Sequence, residues 1–401
     1  MTMKKPLIPN DDQMTLMASM VGDIYTKMSQ DLMLSMIKRI KQRGTADLER
    51  EPYLWQLEKL NQMHMLNQEN INYVIEQTGI AKDLINRIIK NEGLKVYQNT
   101  FEQLAEDLGS NAKHNDVSSA LASYVQQVFL DYDNYINQTL LSTNYGNNEV
   151  LKIYQGIIQE TVAKVVSGVS VAEQAVNDTV MQWLDKGISS TFIDKGGNHW
   201  NIDSYARMVI DSTTARVYND MRIRGSEELG VDTFYYSIHA ASRPACAPIQ
   251  ARIVTKGARF YSNELGDWVE SLSDHGWGKA GGCLGIHCHH YLTPFVIGVN
   301  YLPDLPDELK NLTPEQAKAN GEKQARQRVY ERAIRNDKYK IQASKLLEDD
   351  RRVEHYRQML KAHNRGLNDL LKENSFLVKE TVKLLKAQKE MLKELAKKNK
   401  N

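Results

Sequence analysis

Cysteine and proline are scarce in this chain. Only 3 cysteines and 9 prolines occur among its 401 residues. Three cysteines cannot all pair, so a framework of disulfides like that of small secreted domains is excluded. Few prolines leave room for long helices, because proline lacks the backbone donor that a helix interior requires.

Long apolar runs are also missing. No stretch approaches the roughly 20 apolar residues that a helix needs to cross a bilayer, and we expect no membrane segment. The opening residues MTMKKPLIPNDDQM carry charges but are not followed by the apolar core of a secretory signal. We therefore expect a protein that is made in a cytoplasm and stays there, or in a particle assembled there.

Net charge is small, but it is unevenly distributed. From Gly321 to Asn401, 22 basic residues stand against 12 acidic ones, which leaves a net charge of −9 for residues 1–320. A basic helical tail can contact DNA through phosphates. Acidic residues are interleaved in the tail, and they favour an ordinary solvated helix face equally well.

Helical periodicity runs through residues 1–200. The first helix is expected to begin at the Asn10-Asp11-Asp12 cap and to end at Gly44. Its apolar residues recur at spacings of three and four: Leu16, Met17, Met20, Ile24, Met28, Leu32 and Met36. Further helices of the same type follow, and no strand is expected before Val231.

Short strands are expected only after a long helix that is capped by Asp203 and ends at Gly230. Four β-branched or aromatic stretches separated by turn residues predict strands at 234–238, 252–255, 259–261 and 291–297. So small a sheet buries little apolar area. This is a physical reason to expect that a metal ion or an adjacent long helix stabilises it.

The last part of the chain predicts a long helix after a connector marked by Pro303, Pro306 and Pro314. Thr313 and Gln316 fit a capping box at its start. After Pro314 no proline occurs up to Lys398, and the glycines in this stretch are Gly321 and Gly366. Apolar residues recur every seven positions, as in a coiled-coil or bundle seam: Leu377, Leu384 and Met391, with Val378, Leu385 and Leu392 beside them.

Together these patterns predict a predominantly α fold with a small α+β central domain, in which long helices flank a short-stranded sheet that zinc would stabilise. The predicted divisions are an N-terminal helical region at 1–200, a central helix and β domain with a Cys/His cluster at 201–300, a proline-containing linker at 301–320 and a basic helical, coiled-coil tail at 321–401.

A cluster of sulfur and imidazole side chains lies between His239 and Phe295. It holds all three cysteines and five of the ten histidines. Thiolate and imidazole groups brought together by glycine turns are typical of a metal site, or of a nucleophile with its base. Cys283, Cys288 and His290 form the spacing C-x4-C-x-H, which is not a common zinc-finger pattern, and the glycines at 281, 282 and 285 would let these side chains point at one zinc ion. The predicted ligands are Cys246, Cys283, Cys288 and His290, with His239 as the competitor of Cys246.

Other interpretations of this cluster stay open. Free cysteines are often simply buried small apolar residues. A catalytic cysteine is disfavoured because Pro244 and Pro248 flank Cys246 and argue against a helix N-terminus that would activate its thiolate.

A metal-dependent hydrolase or nuclease is the alternative function. It would use His239, His275 and His287 around the ion, with a carboxylate base. The available carboxylates are Glu264, Asp267 and Asp274. None stands at the spacing of H-E-x-x-H, and we predict no catalytic residue.

Three strings resemble the phage minor capsid protein 2 family of tailed phages, which is similar to the Mu F-like head morphogenesis proteins: YARMVIDSTTARVYNDMR at 205–222, YYSIHAASRP at 235–244 and GGCLGIHCHHYLTPFVIGV at 281–299. In that family a histidine often stands at the position of Cys246, and this exchange keeps a metal ligand. An arginine often stands at the position of His289, and its role does not carry over to this chain.

The resemblance implies a structural minor component of the phage head, assembled in the host cytoplasm and located in the virion. It further implies a position near the portal vertex, contacts with portal, scaffold or other capsid proteins, several copies per particle, and ejection with the DNA in some cases. DNA contact would use the basic tail. For such a structural and assembly protein, we expect no enzymatic activity.

Overall fold

Helices dominate the structure, a computed structural model that describes residues 11–42, 46–137, 140, 148–187, 189–193, 199–305 and 307–378. A body of packed helices adjoins a small mixed sheet. Within the described ranges, no helix is both long and apolar enough to span a membrane.

The helical body begins with α1, Asp11–Lys41. Its core face includes Met28, Leu32 and Met36 of the predicted stripe, all fully buried. The following helices are α2 Ala46–Arg50, α3 Pro52–Asn61, α4 Met63–Asn86, α5 Gly93–Leu108, α6 Ser118–Tyr132, α7 Glu149–Val166 and α8 Ala172–Lys186. A π-helical turn, Arg87–Glu92, joins α4 to α5, and a second one, Asp133–Asn137, follows α6.

Two short strands precede the central helix. They are β1 Ser189–Ile193 and β2 His199–Asn201, and they pair antiparallel. The prediction of no strand before Val231 is therefore wrong. Thr191, Phe192 and Ile193 of β1 carry the same β-branched and aromatic signal as the strands predicted after Val231, so the local sequence favours this strand as well.

The central helix, α9 Ile202–Glu227, packs against both parts of the molecule. Tyr205 and Tyr218 lie in the core of the helical body, while Ile223 lies in the core of the sheet domain. The Tyr218 hydroxyl also donates to the carbonyl oxygen of Ile88, inside the first π-helical turn, at 3.2 Å. Because α9 belongs to both cores, it sets how the sheet sits against the helices.

The sheet domain has five strands: β3 Thr233–Tyr236, β4 Ile253–Thr255, β5 Phe260–Ser262, β6 Asp267–Ser271 and β7 Leu292–Pro294. Their order is β5-β6-β4-β3-β7, and only β4 and β6 run parallel. The four predicted strands are confirmed with shifted or shorter bounds. β6 was missed because Asp267 and Glu270 interrupt its apolar residues.

The C-terminal helices form a hairpin. A single turn, α10 Asp307–Lys310, leads to α11 Pro314–Leu346 and α12 Asp350–Glu373. The capping box at Thr313 and Gln316 is confirmed, with bonds of 3.2 and 2.9 Å. The long helix predicted after Thr313 ends at Leu346, and the chain reverses at Glu348, where φ is +58°, before α12 begins.

The hairpin is packed on the helical body at its reversal. Tyr339, Ala343 and Leu347 lie in the large helical core. The Lys41 ammonium donates to the carbonyl of Leu347 at 3.2 Å. The reversal therefore belongs to the same core as α1, and the far heptad positions Leu384, Leu385, Met391 and Leu392 lie outside the described residues.

The start of α11 is held by the sheet domain instead. The Ser242 backbone N–H donates to the carbonyl of Ala317 at 3.0 Å, and the Asn320 side chain donates to the carbonyl of Ala240 at 2.9 Å. With 33 residues, α11 is about 50 Å long. It thus connects the loop after β3 with the helical body.

Candidate metal centre

Two thiols and one imidazole converge beneath the sheet. The ligand atoms of Cys246, Cys288 and His290 all lie within 4.8 Å of one another. The sulfur atoms are 3.7 Å apart, and the Cys288 sulfur is 3.4 Å from Nδ1 of His290. Exposure is 0% for Cys246 and 5% for each of the others, so the group is closed to solvent.

Strand pairing explains why residues far apart in sequence meet here. β3 and β7 are antiparallel, with Tyr236 at the end of β3 opposite Leu292 at the start of β7. The loop that leaves β3 and the segment that enters β7 therefore lie at the same end of the sheet. Cys246 stands in the first, before the short helical turn Ala247–Ile249, and the other two ligands stand in the second.

Gln250 fixes the orientation and protonation of His290. Its Oε1 accepts a hydrogen bond from the backbone N–H of His239 at 2.9 Å, which identifies this atom as the acceptor oxygen. The same oxygen lies 2.7 Å from Nε2 of His290, so that nitrogen must carry the proton. The lone pair of Nδ1 then faces the Cys288 sulfur. This is the arrangement found behind metal-binding histidines.

Tyr236 borders the other thiol. Its hydroxyl donates to the Cys246 sulfur at 3.2 Å, and its ring lies 5.0 Å from that of His290. Burial, together with the neighbouring thiols, raises the pKa of Tyr236 well above its usual value. The hydroxyl therefore stays protonated and remains a donor to sulfur.

The two clustered thiols differ in acidity. The hydrogen bond with Cys246 lowers the pKa of Cys288. The hydrogen bond to Cys288 and burial raise the pKa of Cys246. Cys288 is thus the first to become a thiolate, the form that binds metals.

Two of the three distances within the group match those of a tetrahedral zinc site. With zinc–sulfur bonds of about 2.3 Å and zinc–nitrogen bonds of about 2.0 Å, two thiolates stand about 3.8 Å apart, and a thiolate stands about 3.5 Å from an imidazole nitrogen. The corresponding distances here are 3.7 and 3.4 Å. The third pair, Cys246 and His290, lies within 4.8 Å, so these three side chains could hold a zinc ion.

The structure brings together three of the five predicted ligands. Cys283 lies outside the group, and its thiol donates to the carbonyl of Leu272 at 3.4 Å. Burial raises its pKa to about 12. His239 stands beside the group, with its ring edge-on to that of His290 and the centroids 4.5 Å apart.

The residues of the hydrolase alternative do not form a second cluster. Among the described residues, only Cys246, Cys288 and His290 form a group of three or more Cys, His, Asp or Glu side chains close enough to share an ion. Asp267 is bound instead by Arg252 through two contacts of 2.9 Å. The group contains no carboxylate.

Sequence patterns did not identify the residues that support the site. Gln250 and Tyr236 contact the ligands, and Asn219 of α9 binds the backbone of the same segment, donating to the carbonyl of His290 at 3.1 Å. No ligand spacing includes these positions. Only the fold shows that they meet.

Comparison with known proteins gives consistent matches along the chain. A sequence profile of the family described as phage minor capsid protein 2 matches residues 10–372. A structural protein of Lactococcus phage LL-H is 32% identical over 365 residues, which cover 90% of this chain and 96% of that protein. A structural protein of Lactococcus phage mv4 is 29% identical over 110 residues, 27% of this chain and 85% of that protein. No solved structure matches.

Proposed function

Since this chain belongs to the phage minor capsid protein 2 family and is a structural protein of the virion, we propose that it acts in head assembly next to the portal, with a zinc ion holding its central sheet in shape. The observation that carries the zinc proposal is the buried group of Cys246, Cys288 and His290. Several copies per particle would surround the portal vertex, and ejection with the DNA is part of the same proposal.

A structural ion is favoured over a catalytic one. A catalytic zinc keeps an open position for water or substrate and needs a nearby base. The three side chains here are at most 5% exposed, and no carboxylate is among them. Burial and the absence of a base within the group support a role without enzymatic activity.

We assign the fourth ligand position to His239. Its ring already contacts that of His290, and its Nε2 lies 3.3 Å from the Ser237 hydroxyl. Rotation of the ring would bring a nitrogen toward the ion. Cys283 is the less suitable candidate, because its thiol is turned to the carbonyl of Leu272.

The ion would also stabilise the attachment of α11. The loop between β3 and Cys246 carries the two contacts at Ser242 and Ala240 that hold the start of α11. Fixing Cys246 therefore fixes the far end of this loop. A zinc ion would keep the C-terminal hairpin at a constant orientation to the sheet during assembly.

Metal content tests the zinc proposal directly. Protein purified without chelator should contain about one zinc per chain by elemental analysis. Cys288→Ser should lose the metal, and residues 231–299 should become sensitive to limited proteolysis while the helical signal in circular dichroism is largely kept. Cys283→Ser is the matched control and should retain the metal. Metal-free wild-type protein, or equal loss in both variants, would overturn the proposal.

A second observation favours contact with DNA. Arg357, Lys361 and Arg365 are exposed on one face of α12, at spacings of four residues. Phosphate contacts by such side chains make binding salt-dependent, with a slope of about −0.9 per contact in a plot of log affinity against log salt. Lys361→Gln should reduce that slope for duplex DNA, whereas Lys310→Gln on α10 should not. An unchanged slope in the first variant would exclude this face.

A further inference from the structure

The two edge strands of the sheet, β7 and β5, have different surroundings. At β7, Asn219 of α9 covers the edge, because its side chain donates to the carbonyl of His290 at 3.1 Å and accepts from the N–H of Leu292 at 2.9 Å. At the opposite edge, no further strand pairs with β5 in the part of the chain that the structure describes. The outer side of β5 is therefore available for pairing.

Three aromatic side chains lie at this open edge. Exposure is 39% for Phe260, 51% for Tyr261 and 43% for Trp268. Tyr261 and Trp268 are directly opposite each other on β5 and β6, with ring centroids 5.6 Å apart. The Arg259 guanidinium lies over the Trp268 ring at 4.2 Å. Tyr, Trp and Arg are the residues most enriched at the centres of protein interfaces.

The strand has few of the features that usually prevent edge pairing. Natural edge strands are very short, or they carry lysine, proline, bulges or inward charges that block the addition of another strand. β5 reads Phe-Tyr-Ser and has none of these except its length of three residues, and its pairing with β6 is regular over all three. An exposed aromatic edge of this kind is typical of a binding surface.

The charge of the β5–β6 hairpin indicates which kind of partner would bind there. Residues 259–271 contain one arginine and three acidic residues: Glu264, Asp267 and Glu270. Two of these carboxylates are paired with arginines, Glu270 with Arg259 at 3.0 Å and Asp267 with Arg252 at 2.9 Å. Glu264 therefore carries the remaining net charge of −1 of these five side chains, which disfavours DNA and a second acidic hairpin. A basic protein segment fits this surface.

We propose that the β5–β6 hairpin is the docking site for an extended segment of another virion protein, which adds as a sixth strand beside β5 and carries lysine or arginine at alternate positions. Backbone hydrogen bonds along Phe260–Ser262 would hold it. Its aliphatic stems would lie on Tyr261 and Trp268, with their charges toward Glu264. This inference rests on the proposed function, since the partner is a component of the head.

Cross-linking in assembled particles tests the site. A photo-reactive benzoylphenylalanine in place of Tyr261 should cross-link to a lysine- or arginine-rich peptide of a different virion protein, identified by mass spectrometry. The same group in place of Tyr53 on α3, which is 69% exposed, is the control and should not reach that peptide. Cross-links only to a second copy of this chain, to DNA or to nothing would overturn the inference.

Two outcomes separate this inference from the proposed function. If the chain is missing from particles, the proposed function fails and the inference fails with it. If the chain is present but position 261 gives no basic partner peptide, the inference alone fails. As a second readout, Tyr261→Lys should lose incorporation into particles through charge repulsion, while Tyr261→Phe should keep it. Equal incorporation of both would also overturn the docking site.

Discussion

The ammonium group of Lys59 donates a hydrogen bond to the carbonyl oxygen of Gln42 at 2.7 Å, just beyond the last residue of α1. The same group reaches the carbonyl of Arg39 at 3.2 Å. Lys59 is only 1% exposed. Its ammonium group binds carbonyl oxygens of the kind that every helix leaves without an intrahelical partner at its C-terminus. A single side chain of α3 thus caps the C-terminus of α1.

Lys59→Met should lower the free energy of unfolding by about 1 to 3 kcal/mol, because the carbonyls of Arg39 and Gln42 lose a charged donor while the apolar stem is kept. Urea denaturation followed by circular dichroism measures the change. Lys38→Met, at an exposed position of α1, is the control and should change stability by less than about 0.5 kcal/mol. Similar effects in both variants would show that the bonds of Lys59 add no stability.

Gln250→Leu should weaken zinc binding by about 10- to 100-fold, because His290 would lose the acceptor that fixes its tautomer. Competition with a chromogenic chelator measures the affinity. Gln250→Glu keeps an oxygen that accepts from both His290 and the His239 backbone, and it should bind zinc nearly as well as the unmodified chain. Unchanged affinity in the leucine variant would show that Gln250 does not support the ligand.

Glu348→Gly should raise the free energy of unfolding by about 0.5 to 1 kcal/mol, because φ at this position is +58° and a side chain is strained there. The ion pair that is lost, with Lys41 at 3.5 Å, involves a Glu348 side chain that is 78% exposed and contributes little. Glu354→Gly, inside α12, should instead cost about 1 kcal/mol. Thermal unfolding of both variants checks the opposite signs.

Asp267 should titrate below the ordinary value of about 3.9 for an aspartate. The hydrogen bonds from Arg252, and then from the backbone N–H of Trp268, lower its pKa. A carboxyl whose folded pKa is depressed adds stability above its unfolded pKa and loses it as the pH falls through the folded pKa. Carboxyl NMR should show the low midpoint, and Arg252→Gln should move it upward. A midpoint near the ordinary value in the unmodified chain would contradict this.

Helices in this protein could be read from the sequence because their apolar stripes are long. The stripe of α1 covers several turns, and the cap at Thr313 uses two local side chains. The reversal at Glu348 was missed because neither glycine nor proline marks it. A signal was present in Asp349, whose side chain accepts from the backbone N–H of Arg352 at 3.0 Å and caps α12.

The candidate metal centre was only partly predictable. Cys246, Cys288 and His290 could be named as candidate ligands because a cluster of thiols and imidazoles is visible in the sequence, and the structure brings these three together. The sequence could not determine the direction of each thiol, and Cys283, though only five residues from Cys288, turns toward Leu272. Gln250 carries no local signal, since its position depends on the antiparallel pairing of strands that are distant in sequence.

The length of the helix α11 sets a distance within the molecule. One end is bound to the loop after β3 and the other lies in the helical core, so the number of residues between Ala317 and Ala343 sets the spacing of two separate parts of the molecule. Removing four residues would shorten this span by about 6 Å and rotate the ends by about one turn. At least one anchor would then lose its partner. The length of α11 therefore fixes the distance between the sheet domain and the helical body, and changing that length would disrupt the packing at one of its ends.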